Sequence, residues 1–569
     1  EISAVWNDDA RAALHTAVAA TGLGYAETSY QKAAARIDVW AEQWSALRTR
    51  VCHDATVAGT SSPELHTLAA ECLEEHRDRL AGVLAVFGEG VASDLERLVP
   101  AAAGLDRLEP CADGAALARR PRSPEEPGAR AQVLALRADL MRIHGLWVAG
   151  RYTQALAQSE ALLAAAEGLG YAPLATDVRA LFANVAMQLD HFDRAEQALQ
   201  RVYLDAGALG RDELAAEAAV QLVRLVGVLR QRPAEGRQWA LSADLFIRRL
   251  GEEQGLLGAR LLSHRALVIR REGDYDESLA TQERGLAIRE EILGRDHPEV
   301  ATSLSHVANI QRDQGETGAA LVALERALAI REQAFGPDHP TVAAALNDLA
   351  LLQQVRGEYP EAQALLERAL GITSAAWGAD GLDAATILNN LGRVEHMRGD
   401  YGEAELHLER ALAIRERRLA SDDLELATSL QYLGLLHLVR GDRLRARDML
   451  ERGLAIRERH MDASHPEILN ISDSLGTAYF RLGDYEKAQA IHAQTLAAQR
   501  RKFGAGHALV AQSLRNLALV QHALGEPEDA LVGATEALAL GEAALGPEHP
   551  DIAAFLNTLG TMQRGRDPV

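Results

Sequence analysis

Seven glycines recur every 42 residues without a slip: Gly273, Gly315, Gly357, Gly399, Gly441, Gly483 and Gly525. A period this strict means that one supersecondary unit is copied along the chain, each copy burying its apolar face only against its neighbours. A second ladder runs in phase: Asp296-His297-Pro298, Asp338-His339-Pro340, Ser464-His465-Pro466 and Glu548-His549-Pro550. Gly381-Leu382, Asp423-Leu424 and His507-Ala508 keep its register without the proline. More than half of the chain therefore reads as a solenoid, built to present surface rather than to enclose a catalytic pocket.

Residues 383 to 420 show what one copy contains. Ile387, Leu388, Leu391, Gly392, Val394 and Met397 recur at helical spacing and stop at Gly399; a second amphipathic run follows from Ala404 to Leu419. Glycine suits the left-handed residue that closes a helix, and proline after histidine suits the first turn of the next. The unit is an antiparallel helix pair. Small residues mark the close approach of its two helices: Ala308, Ala350, Gly392, Gly434, Gly476 and Ala518 in the first, with Ala320, Ala362, Ala404, Ala446, Ala488 and Ala530 in the second.

Leu-Gly followed by Gly-Asp-Tyr-x-x-Ala resembles the tetratricopeptide repeat. The string LERALAIRE with Gly-x-x-His-Pro resembles its 42-residue variant in kinesin light chains. The resemblance covers residues 258 to 563. Degenerate copies occupy 133–257, at Gly150-Arg151-Tyr152-x-x-Ala155, at Asp190-His191-Phe192-x-x-Ala195, and in a weaker unit ending near Ala240. It implies an all-α, right-handed solenoid of about ten helix pairs, with a last unpaired helix from Pro550 to about Gln563 as its cap.

The chain has 569 residues and a net charge of −22, and only 4% of it is aromatic. That charge argues against nucleic acid, whose phosphates need a basic stripe. No stretch approaches the roughly 20 apolar residues of a membrane span. Glu1-Ile2 is an unusual natural start, so the chain is expected to be a piece of a longer protein.

Residues 1 to 118 lack the repeat and form a separate helical module. Arg119 to Gln132, with prolines at 121, 124 and 127, reads as a linker. Cys52 and Cys72 each lie ten residues from Ser62, within a turn at Thr60-Ser61-Ser62-Pro63. They fall opposite one another in an antiparallel hairpin, which predicts a Cys52–Cys72 disulfide; buried free thiols are the alternative. Cys111 is then left over, with a partner expected outside the chain.

The module also carries Trp6 with Asp8, Asp9 and Arg11, then Ile37-Asp38-x-Trp40-Ala41-x-x-Trp44. Arg50-Val51-Cys52-x-x-Ala55-Thr56, Cys72-Leu73 and Leu108-x-Pro110-Cys111-Ala112-Asp113 follow. This resembles the region after the membrane span in serine/threonine protein kinases of myxobacteria and their relatives, although Val57 to Ser62 departs from the usual loop. Those proteins place a cytoplasmic kinase before the span and tetratricopeptide repeats after this region. The resemblance implies a kinase domain upstream and an extracytoplasmic location for this chain.

No catalytic set stands out. His76-Arg77-Asp78 echoes a kinase catalytic triplet, but Val83 holds the place of the asparagine. Gly88-Glu89-Gly90 has no strand before it and reads as a turn. His460, Asp462 and His465 could meet a metal, but the same loop is a plain turn elsewhere. The chain reads as a non-enzyme with no cofactor and no metal.

In arrays of this kind the first helix of each pair lines the concave face. Nine and ten residues before each glycine stand Ser263/His264, Ser305/His306, Asn347/Asp348, Asn389/Asn390, Gln431/Tyr432, Asp473/Ser474 and Arg515/Asn516. Three residues before stand Arg270, Arg312, Gln354, His396, Leu438, Phe480 and His522. Arg260, Arg271 and Arg393 fall on neighbouring inward positions. The expected groove therefore uses Arg260, Arg270, Arg271, Arg312, Asn347, Asn389, Asn390, Arg393 and Asn516. Amides would hold the backbone of an extended peptide and arginines its carboxylates. The outward Glu325/Arg326, Glu367/Arg368, Glu409/Arg410 and Glu451/Arg452 pairs read as a solvated charge lattice. The expected function is a protein- or peptide-binding scaffold, the sensing or partner-binding arm of a membrane-anchored bacterial kinase. The alternative is a cytoplasmic adaptor of kinesin-light-chain type that assembles partner proteins.

Overall fold

The computed structural model describes residues 2–56, 62–105, 107–546 and 550–564. Among them there are helices and no strand. The chain packs as two units, 1–356 with 375–377, and 357–374 with 378–569.

The first unit begins with α1 (Asp8–Ala20), α2 (Ala26–Thr56), α3 (Pro63–Phe87), α4 (Leu95–Ala103) and α5 (Gly114–Ala118). The tryptophans tie these together. Trp44, 1% exposed, donates its indole N–H to the Leu73 carbonyl at 2.7 Å and locks α2 onto α3. Trp6 donates to Asp38 at 2.6 Å, and the same carboxylate takes Arg11 at 2.6 Å. Ser62 caps α3 through the Leu65 N–H at 3.2 Å, whereas Val57, Thr60 and Ser61 of the expected turn lie outside the described residues.

The disulfide joins Cys72 to Cys111, with their Cα atoms 5.5 Å apart, and not Cys52 to Cys72. Equal distances from Ser62 fix the level of a residue along a hairpin but not the direction in which its side chain points. At 3.6 residues per turn, Cys72 turns inward beside Leu73, towards the short helical turn Glu109–Ala112 that carries Cys111. Cys52 is on the solvent side of α2.

Helix α6 (Pro127–Val148) starts inside the proline-rich segment and packs along α3. The two cross at Gly82 and Gly145; a Cβ on Gly82 would meet the Met141 carbonyl oxygen at 2.5 Å. The helix pairs follow: α6 with α7 (Tyr152–Leu169), α8 (Ala172–Gln188) with α9 (Phe192–Ala208), and α10 (Asp212–Leu222), extended by a π-helical stretch Val223–Leu229, with α11 (Pro233–Leu250). Then come α12 (Leu256–Glu272) with α13 (Tyr275–Leu293), α14 (Pro298–Asp313) with α15 (Thr317–Phe335), and α16 (Pro340–Val355).

The first unit also closes on itself. Lys32 of α2 donates to the Gln333 carbonyl at 2.5 Å, and Tyr25 meets the His339 ring edge-on at 5.4 Å between centroids. Helices α2, α3, α6 and onward to α15 thus form a circuit of packed neighbours.

The second unit takes in α17 (Tyr359–Trp377) up to Ser374. It continues with the pairs α18 (Leu382–Arg398) and α19 (Tyr401–Arg418), α20 (Leu424–Arg440) and α21 (Arg443–His460), α22 (Pro466–Leu482) and α23 (Tyr485–Phe503), and α24 (Ala508–Leu524) and α25 (Pro527–Leu545). It ends with α26 (Pro550–Arg564). In chain order this is the expected run of ten pairs and a final single helix, although Glu548 and His549 of the last ladder step lie outside the described residues.

The periodic residues do local work. The seven glycines all have φ between +80° and +91°, a backbone region costly for other residues. His297, His339, His465 and His507 each accept, through Nδ1, the N–H two residues ahead, at 3.2–3.3 Å. A Cβ on Gly392 would lie 2.6 Å from Leu408 Cγ, so glycine there sets how closely the pair packs. No helix among the described residues is long and apolar enough to cross a membrane.

Candidate ligand-binding surface

First helices of successive pairs touch one another (α6 and α8, α10 and α12, α18 and α20, α20 and α22, α22 and α24), and among the described residues no two second helices pack as extensively. In each unit the first helices therefore line the inside of the curve.

Two adjacent columns on those helices have different fates. The residues nine before each glycine (His264, His306 and Asp348 in the first unit; Asn390, Tyr432, Ser474 and Asn516 in the second) are all partly exposed on the inner wall. The residues ten before are mostly shut in: Ser263, Ser305, Asn389 and Gln431 are buried, Asn389 to 2%. Asn389 thus sits between helices, and Asn390 is the amide that faces the groove. Asn347 stays partly exposed.

The shut-in column meets an arginine column that sequence reasoning passed over. Arg289 donates to Ser263 Oγ at 2.7 Å and Ser303 Oγ at 2.9 Å, with Glu299 at 3.4 Å. Arg415 takes Ser429 Oγ at 2.7 Å and the Glu425 carboxylate at 2.5 Å. Arg457 takes Gln431 at 2.6 Å and Glu467 at 3.3 Å. These arginines, the R of three of the four AIRE strings, are buried and each holds a carboxylate ten residues ahead. Their 42-residue spacing was visible in the sequence; their inward direction was not.

The arginines expected to grip a ligand are partly engaged already. Arg270 bonds Asp313 at 2.6 Å, and Arg312 lies 3.5 Å from the same carboxylate. Arg260 acts by charge on Glu217, whose side chain is exposed, and opposes the desolvation that raises its carboxyl. Arg271 stands exposed at the end of α12. Arg393 donates to the Tyr432 hydroxyl at 2.8 Å and lies over its ring. Two inner histidines are held neutral: burial pushes His264 down to about 3, and burial with the charges of Arg289, Arg270, Arg224 and Arg331 pushes His306 down to about 4.

The second unit has a cleft of about 500 Å³ between α20, α22 and α24. Asp473 is its polar centre, accepting from His492 Nδ1 at 2.9 Å and Asn516 Nδ2 at 2.9 Å. His492 occupies the place of Leu408 and Leu450 in their repeats and lies against Gly476. Phe480, Leu438 and Leu519 give the cleft apolar walls, and Arg515 lines it while bonding Thr558 at 3.1 Å.

Away from the groove, the outward lattice ties repeats together: Arg326 reaches Glu290 at 2.6 Å and Arg452 reaches Glu416 at 2.5 Å. His460 Nε2 is 2.8 Å from the Asp422 carbonyl, and His465 caps α22. In α3, Asp78 takes the neighbouring Arg77 at 2.7 Å.

With this geometry in hand, residues 259–459 and 467–532 match the tetratricopeptide repeat family model. Among curated proteins no sequence matches the chain. Solved structures are similar in fold. BtubC from P. vanneervenii is 24% identical over 40% of this chain and 92% of its own, with a TM-score of 0.35. A kinesin-light-chain-like repeat protein from Podosopora anserina is 26% identical over 36% and 97%, with a TM-score of 0.31. The apo form of RapI is 14% identical over 68% and 97%, with a TM-score of 0.46. The regular array of this chain is a run of tetratricopeptide repeats, a scaffold suited to binding protein partners.

Proposed function

We propose that the chain holds an extended peptide segment of a partner protein against the inner faces of its first helices. We further propose that it is the partner-binding arm of a membrane-anchored bacterial serine/threonine kinase, on the extracytoplasmic side. The observation that carries the binding role is the column of partly exposed polar side chains nine residues before each glycine, His264 to Asp348 in the first unit and, separately, Asn390 to Asn516 in the second. Hydrogen-bonding groups at one-repeat intervals (imidazole, carboxylate, amide, phenol and hydroxyl) match the regularly spaced polar groups of an extended backbone. The kinase connection rests on the Trp6, Asp38, Trp44, Cys72 and Cys111 pattern, whose members interlock in the N-terminal module.

Peptides selected from a display library on the full chain test the binding role. Within the second unit, Asn390→Ala with Asn516→Ala should weaken the selected peptides by about 1–3 kcal/mol, the usual cost of lost hydrogen bonds in a desolvated contact. The outward Val322→Ser should leave them unchanged. Equal binding by the inner double variant would overturn the role. The reading frame upstream of Glu1 tests the kinase connection: a kinase domain and one apolar span support it, and an initiator methionine adjoining Glu1 refutes it.

A further inference from the structure

The arginine column breaks its own rule once. Arg289, Arg415 and Arg457 each have a glutamate ten residues ahead, but Arg331 has Thr341 there. The hydroxyl that Arg289 and Arg415 receive from Ser303 and Ser429 is replaced at the corresponding place by Ala345. Arg331 keeps one contact, Ser305 Oγ at 3.2 Å, and its other terminal nitrogen is buried with no hydrogen-bond partner. Beside it, the Nδ1 of His306 is also buried and unpartnered.

The surroundings add positive charge and little to oppose it. Arg224, on the π-helical stretch, acts on His306 by charge and makes no ion pair among the described residues. Arg270 is matched by Asp313 and Arg289 by Glu299. Asp348 on α16 acts on Arg331 by charge without reaching ion-pair distance, and burial pushes its own carboxyl up, towards the neutral form. His264 also faces this cluster. In a chain of net charge −22 this is a local excess of cations on an inner wall. A buried guanidinium nitrogen left unpaired costs free energy that an arriving oxyanion would recover.

We infer that Arg331, His306 and Arg224 form an oxyanion-binding subsite on the inner wall of the first unit, where the external anion takes the place of the carboxylate missing at Thr341. The subsite rests on the peptide-binding reading for its biological ligand: it receives an anionic group of the bound segment, a phosphoryl group or a carboxylate.

Inorganic phosphate and acetate, each titrated into the full chain with histidine-labelled NMR detection, test this. Phosphate should shift the His306 signal, which is assigned by its loss in His306→Gln, and raise the pKa of that imidazole. Arg331→Gln should weaken phosphate at least about tenfold, equivalent to about 1.4 kcal/mol. Thr341→Glu restores the carboxylate of the other repeats, so it should abolish anion binding while leaving the thermal midpoint unchanged or higher; this separates lost binding from lost folding. Tighter phosphate than acetate assigns a phosphoryl ligand, and the reverse assigns a carboxylate. A His306 signal indifferent to both anions, or unaltered phosphate binding in Thr341→Glu, overturns the subsite. Phosphate binding without any selected peptide would overturn the peptide reading alone.

Discussion

A buried arginine is stable only where every face of its guanidinium finds an acceptor, and the column at 289, 331, 415 and 457 separates by that criterion. Arg415 is 2% exposed and has four donor contacts, to Ser429, Thr386, the Glu425 carbonyl and the Glu425 carboxylate. Arg415→Gln should therefore lower stability by about 2–4 kcal/mol, since it strips several charge-assisted bonds and leaves their acceptors unpaired. Arg331→Gln should cost clearly less, because it removes one hydroxyl contact and relieves an orphaned donor. Thermal midpoints of the two variants decide it; an equal loss would mean that Arg331 is a structural residue like the others. The period made this column countable from the sequence, together with its glutamates and the break at Thr341. Sequence reasoning instead chose Asn389 and Arg270, because inward position alone does not show whether a side chain meets solvent, a neighbouring repeat, or Asp313.

At the level of helices, the signals that start and stop each element were the readable part. Glycine with positive φ ends first helices, and histidine or aspartate caps the next, so boundaries follow from backbone chemistry that one residue can dictate. The N-terminal module gave less away, because nothing in it repeats. The cysteine spacing there set two residues at one level of a hairpin but not the directions of their side chains, and the bond runs from Cys72 to Cys111 instead of to Cys52. Closing the 39-residue separation between Cys72 and Cys111 removes unfolded-state entropy worth about 4 kcal/mol on the chain-entropy estimate. Cys72→Ala with Cys111→Ser should thus lower the unfolding midpoint of the module markedly, whereas Cys52→Ser should leave it near the wild-type value. Non-reducing peptide mapping should recover the 72–111 pair, and recovery of a 52–72 pair would sink the assignment.

Over the chain as a whole, the 42-residue period tells each repeat which neighbours it has, but it is silent on contacts between distant places. The closure of the first unit is such a contact. Tyr25 just before α2, together with Thr28, Lys32 and Arg36 of α2, meets the end of α15 and the turn before α16, across about 300 positions. The His-Pro ladder takes a second role here. His339 is fully buried, stacked on Phe335 at 5.2 Å and edge-on to Tyr25, with the Glu96 backbone of α4 nearby; burial pushes it down to about 4. An unfolded histidine takes its proton near 6.5, so between pH 6.5 and about 4 the unfolded chain binds more protons than the folded one. Stability of the first unit should accordingly fall as pH drops through that window, with no further loss from this group below it. His339→Asn keeps a side chain that can cap α16 and removes the titration. Urea midpoints measured from pH 7 to 4 should decline less steeply in the variant than in the wild type. Parallel declines would show that the clasp between α2 and α15 does not depend on a neutral His339.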